Sequence, residues 1–220
     1  MTPFNRKNDR GNCNITDQRH VYNLSMVAQT PKFSGRMLRL LASDWQFAPI
    51  MKIKSSQFYT VFTGTDVALN GEGGGSAGNG GQRAQIVPGV SPYVASGTGC
   101  NPAPCLAWAN PAAFTAPASG TLGNSSVFSQ RGPGVFQLDL ALSRTFTLHE
   151  KKTVQIRAEA FNLPNHLNPA TPGTTAAIGA AGAAALNSPT SFNITTDISG
   201  SSGLSSGDYR VVQFALKFVF

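Results

Sequence analysis

The chain has 220 residues and a formal net charge of +7, and only 12% of its residues are charged. Its lysines and arginines do not cluster with aromatic residues, which argues against a nucleic-acid-binding platform, so we expect no nucleic-acid partner. No apolar run reaches the roughly 18 residues that a membrane-spanning helix needs. With 23 glycines and 14 prolines, the composition instead predicts an all-β fold of short strands and long polar connections.

Alternation of apolar and polar residues predicts five strands, because successive side chains of a strand point to opposite faces. The predicted strands are residues 19–30, 44–62, 134–147, 153–162 and 208–220. In the last strand, one face carries only the apolar residues Val212, Phe214, Leu216, Phe218 and Phe220. By itself this row fits a soluble sheet packed on a core as well as a strand that faces lipid.

The predicted connections alternate in length. Residues 31–43 and 148–152 are short or moderate connections, whereas residues 63–133 and 163–207 are long and lack clear periodicity. Long extracellular loops and short periplasmic turns are typical of membrane barrels. We therefore predict antiparallel up-and-down strands in a transmembrane β-barrel, surrounded by outer-membrane lipid, with the C-terminus at the periplasmic side.

Five strands are too few to close a barrel. Single-chain bacterial barrels begin at about eight strands, and an open sheet leaves two edges that lipid does not tolerate. The N-terminal segment that begins Met1-Thr2-Pro3 has no apolar segment and no cleavage site of a secretion signal. We therefore expect a C-terminal fragment of a larger barrel, with the other strands supplied by a longer precursor or by a partner.

Charged residues fall on the predicted polar face. Asp139, Arg157 and Glu159 share this face if the strands 134–147 and 153–162 pair directly. That pairing requires a connecting turn with an odd number of residues. An ionic network wetted by a barrel lumen is the favoured interpretation, and a ligand path is the alternative.

The chain contains three cysteines. Cys100 and Cys105 flank Asn-Pro-Ala-Pro in a loop-like stretch, and Cys13 has no evident partner. A disulfide between Cys100 and Cys105 suits an oxidising compartment. A zinc site would need two further ligands nearby, and the sequence offers none. Two unpaired loop cysteines remain a third interpretation, and we expect no metal and no cofactor.

The sequence resembles the C-terminal end of TonB-dependent outer-membrane receptors, specifically the Oar-like subfamily with a carboxypeptidase-regulatory-like domain. The matching stretches are Arg19-His-Val-Tyr-Asn-Leu-Ser25, Asn110-Pro-Ala-Ala-Phe114, Arg131-Gly-Pro-Gly-Val-Phe-Gln-Leu-Asp-Leu-Ala-Leu-Ser143, Arg157-Ala-Glu-Ala-Phe-Asn-Leu163 with Asn165-His166, and the terminal Phe218-Val-Phe220. The likeness covers most of residues 19–220.

The resemblance implies a share of a barrel of about 22 strands around a plug. Such receptors import large or scarce ligands with energy passed by TonB. The terminal residues Phe220, Phe218 and Leu216 resemble the signal that the barrel assembly machinery reads. This chain contains no plug, TonB box or N-terminal regulatory domain, so we do not expect it to transport alone. The rest of the receptor and TonB are its expected partners.

Two other functions are considered. A secreted or surface-exposed β-sandwich, such as an adhesin, would bury the apolar rows face to face. An outer-membrane hydrolase would need a serine, a histidine and an acid to converge, with Ser143 and His149 as the residues to test. The glycine-rich matches to nucleotide-binding and nucleophile motifs at residues 73–78 and 203–207 do not lead into helices, which those motifs require. We expect no enzymatic activity.

Overall fold

The structure of the chain is a computed structural model. It describes residues 6–13, 17–71, 81–95, 105–149, 152–168, 183–186, 193–195 and 209–220.

Strands dominate the described residues. In chain order the strands are β1 (Val21–Ser25), β2 (Ala28–Gln29), β3 (Trp45–Lys54), β4 (Phe58–Phe62), β5 (Gln85–Ile86), β6 (Cys105–Ala107), β7 (Phe114–Thr115), β8 (Gln130–Arg131), β9 (Val135–His149), β10 (Lys152–Phe161), β11 (Ala183–Ala185), β12 (Asn193–Thr195) and β13 (Val211–Val219). One α-helix, α1 (Arg36–Ala42), lies between β2 and β3, and 3-10 turns cover Arg6–Asp9 and Pro111–Ala113. The predicted all-β class is confirmed.

The chain divides into two compact units. The sheet unit comprises His20–Lys54, Val135–Asn168 and Ser199–Phe220. The loop unit comprises Met1–Arg19, Ser55–Gly134 and Pro169–Ile198.

The sheet unit contains one six-stranded sheet in the order β1-β3-β9-β10-β13, and β2 also pairs with β3. Every pairing in this sheet is antiparallel, as predicted. Among the described strands the sheet is open, with β1 and β13 at its ends.

The register of the sheet brings the apolar rows of neighbouring strands onto one face, which we call the apolar face. Its residues are Tyr22, Leu24, Ala28, Trp45, Phe47, Pro49, Met51, Ile53, Phe136, Leu138, Leu140, Leu142, Arg144, Phe146, Val154, Ile156, Ala158, Ala160, Val212, Phe214, Leu216 and Phe218. The opposite face, called the polar face, carries all the acidic and amide side chains of these strands. Within the regular register from Thr153 onward, Arg144 is the one charged residue on the apolar face of the described strands.

The β9–β10 hairpin pairs the residues that the sequence predicted to share a face. Val154 lies opposite Phe146, and Ala158 lies opposite Leu142. The register shifts between Lys152 and Thr153, so an irregularity at the turn supplies the odd residue that this pairing requires.

Pro49 lies inside the sheet although proline cannot donate to a strand ladder. A proline inside a strand usually marks an edge or a bulge, and the structure offers a different solution. Pro49 faces the break between β1 and β2, where the amide of Met26 donates to the Pro49 carbonyl over 3.2 Å. The partner strand is interrupted at the point where a ladder hydrogen bond would be missing.

The connections of the sheet are sorted by end. Residues 55–134 join β3 to β9, and residues 162–210 join β10 to β13, and both leave from the end of the sheet where β1 begins. The connection from β2 to β3, which includes α1, and the β9–β10 turn lie at the opposite end. Long and short connections are therefore segregated, as the sequence predicted.

The structure divides the predicted strand 44–62 into two parts that belong to different units. β3 ends at Lys54 in the sheet unit, and β4 lies in the loop unit. Four consecutive residues of β4, from Phe58 to Val61, are buried. Burial on both faces is incompatible with the one-sided exposure of the sheet strands, and residues 55–57 separate the two strands.

The loop unit has a hydrophobic core of its own, although its sequence lacks clear periodicity. The buried cluster consists of Tyr59, Val61, Ala84, Ala109, Ala113 and Phe114. β4 pairs with β8 antiparallel and with β11 parallel, while β5 pairs with β7 and β6 with β12. The Asn110 side chain accepts from the Ala112 amide over 3.1 Å and caps a 3-10 turn. That turn directs Ala113 and Phe114 into the core.

Candidate membrane interface and polar face

The apolar face of the sheet is exposed. Phe214, Leu216 and Phe218 on β13 are 80%, 73% and 53% exposed. Leu138 and Leu140 on β9 are only partly buried. A contiguous apolar surface of this kind marks a protein or membrane interface. The β-sandwich alternative is therefore not favoured, because it requires these rows to be buried against a second layer.

The lengths of the sheet strands suit a bilayer. β3 and β10 have ten residues each, and β13 has nine. A tilted strand needs about 9–11 residues to cross the hydrocarbon core. Among the residues that the structure describes, no helix is long and apolar enough to cross a membrane.

Helix α1 and Arg144 meet at the short-connection end of the apolar face. The Arg144 Nη2 atom donates to the Arg39 carbonyl over 3.1 Å. Its guanidinium also lies over two rings, 5.5 Å from the centroid of Trp45 and 4.6 Å from that of Phe146. The Trp45 indole Nε1 donates to the Leu41 carbonyl over 2.8 Å. These contacts hold the last turn of α1 against the sheet and stabilise the guanidinium of Arg144 on its apolar face.

On the polar face, Arg157, Glu159 and Gln213 form one cluster. Arg157 and Glu159 form an ion pair through Nη2 and Oε1. The Gln213 amide on β13 donates to the other oxygen of Glu159, its cross-strand neighbour. The cluster therefore joins β10 to β13 with charge-assisted hydrogen bonds.

Asp139, the third residue of the predicted network, has different partners. It accepts two hydrogen bonds from the Gln137 amide, at 2.9 and 3.0 Å, and one from the Asn162 backbone amide at 2.8 Å. Asp139 therefore stabilises the turn after β10, whereas the ion pair of Arg157 and Glu159 contacts β13. The sequence correctly predicted that all three residues lie on one face. That prediction could not distinguish the contacts of Asp139 from those of Arg157 and Glu159.

Two asparagines that the sequence reasoning did not single out shape the long-connection end. Asn162 has a positive φ of 49°, and its side chain bonds the backbone amide and carbonyl of His166 at 3.0 and 2.9 Å. Asn168 is fully buried and mimics a strand partner, because its side chain bonds both the amide and the carbonyl of Phe136. Asparagine tolerates left-handed backbone, so the Phe161-Asn-Leu-Pro-Asn-His166 stretch was the available signal.

The predicted assembly residues lie along the exposed end of β13. Phe220 is 89% exposed, and its ring centroid lies 6.0 Å from that of Phe218. Leu216 continues the same row. These side chains are available to another surface, and their role as an assembly signal stays a prediction.

The candidate disulfide lies at the border of the described residues. Cys100 lies outside the described residues, and Cys105 begins strand β6 with its side chain outside the described part. Cys13 is exposed as a free thiol. Of the hydrolase candidates, Ser143 is buried, and the side chain of His149 also lies outside the described part. Within the described residues, no cluster of three or more His, Cys, Asp or Glu side chains could hold a metal ion.

A polar cavity of about 250 Å³ opens at the short-connection end of the sheet unit. The residues that line it are Gln29, Thr30, Lys32, Asp44, Trp45, Gln46, Ser143, Thr145 and Thr147. Its hydroxyl and amide groups can hydrogen-bond water or a polar segment of another chain. No catalytic arrangement is evident among these groups.

A polar clamp organises the loop unit near residues 63–71. Asp66 accepts from the backbone amides of Asn70 and Gly71 at 3.2 and 2.9 Å and from the Gln82 amide at 2.6 Å. Gln82 also accepts from the Ala68 amide over 2.8 Å. Desolvation raises the pKa of Asp66, but hydrogen bonds from Gly71, Gln82, Asn70 and Leu69 outweigh it, so the net pKa is lowered. The carboxylate form therefore holds this loop together.

An exposed, continuous apolar face on an antiparallel sheet, with strands of membrane-spanning length and a polar opposite face, defines a β-barrel membrane protein. A family model described as an outer membrane beta barrel domain matches residues 1–213, so the chain belongs to that family and is an outer-membrane protein. Searches of curated proteins and of solved structures found no match.

Proposed function

We propose that the chain contributes strands to the barrel of a TonB-dependent, Oar-like receptor, which takes up a large or scarce ligand. Family membership supports the outer-membrane barrel. The observation that carries the finer assignment is the segregation of the connections, because both long connections leave the sheet at the same end. Long connections that leave from one end of the sheet suit capture of a bulky ligand outside the cell.

In this proposal the open sheet needs further strands. β1 and β13 are at the ends of the described sheet, and exposed strand edges are unstable in lipid. The remaining strands, the plug and TonB are the proposed partners, together with the barrel assembly machinery. The chain does not transport ligand by itself, and its role is not enzymatic.

Thiol accessibility tests the proposal without knowledge of the ligand. The cysteines at 13, 100 and 105 are first replaced by serine. Single cysteines then follow at two polar-face positions, Gln155→Cys and Gln213→Cys, in cells that carry the native locus. If a plug fills the barrel, a bulky water-soluble maleimide labels both slowly. Labelling becomes faster when TonB moves the plug, and a protonophore or loss of TonB removes that increase.

Three results are informative. Labelling that depends on TonB supports the receptor. Fast labelling that ignores TonB and the protonophore leaves an outer-membrane barrel but overturns the receptor assignment. Recovery of the chain in a soluble fraction overturns the membrane location as well. Leu216→Cys on the apolar face is the matched control, because lipid should protect it under all conditions.

A further inference from the structure

Helix α1 exposes nearly all of its apolar side chains. Met37, Leu38, Leu40 and Leu41 are 72%, 57%, 63% and 66% exposed, and the helix buries none of its residues. Four large apolar side chains in a seven-residue helix make a patch that water disfavours. Something other than the described part of the sheet unit must cover this surface.

The helix is also amphipathic. At about 100° per residue, Arg36 and Arg39 lie next to each other on one side, and the four apolar residues occupy the rest of the circumference. A short helix with cations on one side and leucines on the other is suited to lie flat at a lipid surface.

The position of α1 identifies what covers it. Its last turn is fixed to the apolar face by the hydrogen bonds from Trp45 to the Leu41 carbonyl and from Arg144 to the Arg39 carbonyl. The apolar surface of the helix is therefore continuous with a sheet face that contacts lipid. Trp and Arg are the residues that anchor proteins at the membrane–water interface, and both occur at this junction.

We propose that α1 is an interfacial helix that lies in the plane of the outer membrane beside the barrel. Met37, Leu38, Leu40 and Leu41 contact the acyl chains near the headgroups, and Arg36 and Arg39 contact lipid phosphates. Arg144 and Trp45 tether the helix to the barrel. The proposal rests on the membrane location and is independent of the TonB-dependent role.

Spin labels measure the surroundings of the helix directly. The full chain, with its three cysteines replaced by serine, is reconstituted into vesicles of phosphatidylethanolamine and phosphatidylglycerol. Labels are placed singly by Met37→Cys and Leu41→Cys. Phe214→Cys on the sheet serves as the lipid reference, and Leu69→Cys, a 72% exposed leucine of the loop unit, serves as the water reference. Collisions with oxygen, which concentrates in lipid, are compared with collisions with a water-soluble nickel complex.

The expected ratio of oxygen to nickel collisions at positions 37 and 41 approaches that at 214 and exceeds that at 69 on the order of tenfold. A ratio equal to that at position 69 overturns the proposal. Low collision rates with both reagents also overturn it, and then spin–spin broadening identifies a second copy while its absence identifies another segment of the same chain. If position 214 also reports water, the membrane location itself fails, which separates the two conclusions.

A second measurement uses the unmodified chain. Trypsin cuts after arginine, so lipid contact should slow cleavage after Arg36 and Arg39 in vesicles relative to detergent-free, lipid-poor samples. Cleavage after Lys7 and Arg10, which are exposed residues of the loop unit, should not change. If the cleavage rate at each of the four positions is the same with and without vesicles, the proposal is overturned. This result does not depend on the folding of a labelled variant.

Discussion

The guanidinium of Arg144 donates a hydrogen bond to the backbone carbonyl of Arg39 over 3.1 Å, so a cation on strand β9 binds the last turn of helix α1. Arg144→Leu removes this bond and the contacts with two rings. A hydrogen bond to a charged group contributes about 1.5 kcal/mol or more, which corresponds to about a tenfold change in local opening. We expect trypsin to cleave after Arg39 about ten times faster, as measured by mass spectrometry of timed digests. Arg157→Leu, on the polar face, is the control and should leave the rate unchanged. An unchanged rate in Arg144→Leu would show that α1 is held by other contacts.

Two neighbouring residues of β9 test which face meets lipid. Leu140 lies on the apolar face and Ala141 on the polar face. An arginine on the lipid side near the middle of a strand reduces stability by about 2–4 kcal/mol, whereas a lumen position tolerates it. We therefore expect Leu140→Arg to reduce the free energy of unfolding in vesicles by this amount, and Ala141→Arg to have little effect. Urea titration measures both, and equal losses would contradict the assignment of the faces.

Two tyrosines of the loop unit should respond oppositely to loss of the hydroxyl. Tyr59 is fully buried, and among the described residues its hydroxyl has no hydrogen-bond partner. Burial, with a smaller contribution from Tyr93, raises the pKa of Tyr59 far above its usual range. The Tyr93 hydroxyl accepts from the Arg131 amide over 2.8 Å. Tyr59→Phe should be neutral or stabilising, and Tyr93→Phe should reduce the free energy of unfolding by about 1 kcal/mol. Thermal unfolding measures both, and a larger loss for Tyr59→Phe would refute this view of the core.

Two glycines of the loop unit distinguish close packing from backbone strain. A Cβ at Gly123 would lie 2.1 Å from the Arg83 carbonyl oxygen and 2.4 Å from that of Ala84. These are backbone atoms, so Gly123→Ala should destabilise by about 3 kcal/mol, the upper part of the overpacking range. Gly89 has a φ of 79° with nothing within 4 Å of a Cβ, so Gly89→Ala should lose only about 1 kcal/mol. Denaturant unfolding measures both losses of stability. A larger loss for Gly89→Ala than for Gly123→Ala would contradict this prediction.

The clamp around Asp66 should open in acid. The pKa of Asp66 is lower in the folded chain than in the unfolded chain, so its contribution to stability is complete above the unfolded pKa of about 4. That contribution is lost as pH falls through the folded pKa. The protection factors of the Asn70 and Gly71 amides, whose N–H groups donate to Asp66, should decrease as the pH falls below about 4. Asp66→Asn should show low protection factors for these amides at all pH values, and wild-type protection factors that do not change with pH would contradict the clamp.

The alternation of the strands was sufficient to predict the faces of the sheet. Leu138 and Phe214 lie on the face that the two-residue period assigned to them, because lipid selects apolar side chains as strictly as a core does. Alternation could not predict that β4 belongs to the loop unit, because Tyr59 and Val61 continue the pattern of β3. Their burial depends on distant partners such as Phe114.

Short elements and local turns could not be predicted from the sequence either. The seven residues of α1 are too few for a helical period to stand out. The placement of Asp139 against Asn162 depends on a left-handed turn that starts after β10, and a facing pattern contains no information about such a turn. The role of Arg144 required the position of the Arg39 carbonyl, which only the fold supplies.

The parallel pairing of β4 with β11 has a consequence for how the chain is made. These two strands are adjacent in space, but β9 and β10 are synthesised between them. Contacts between residues so far apart in sequence form slowly because a long loop must close first. The loop unit therefore completes its three-stranded sheet only by closing a loop that contains the hairpin of the other unit.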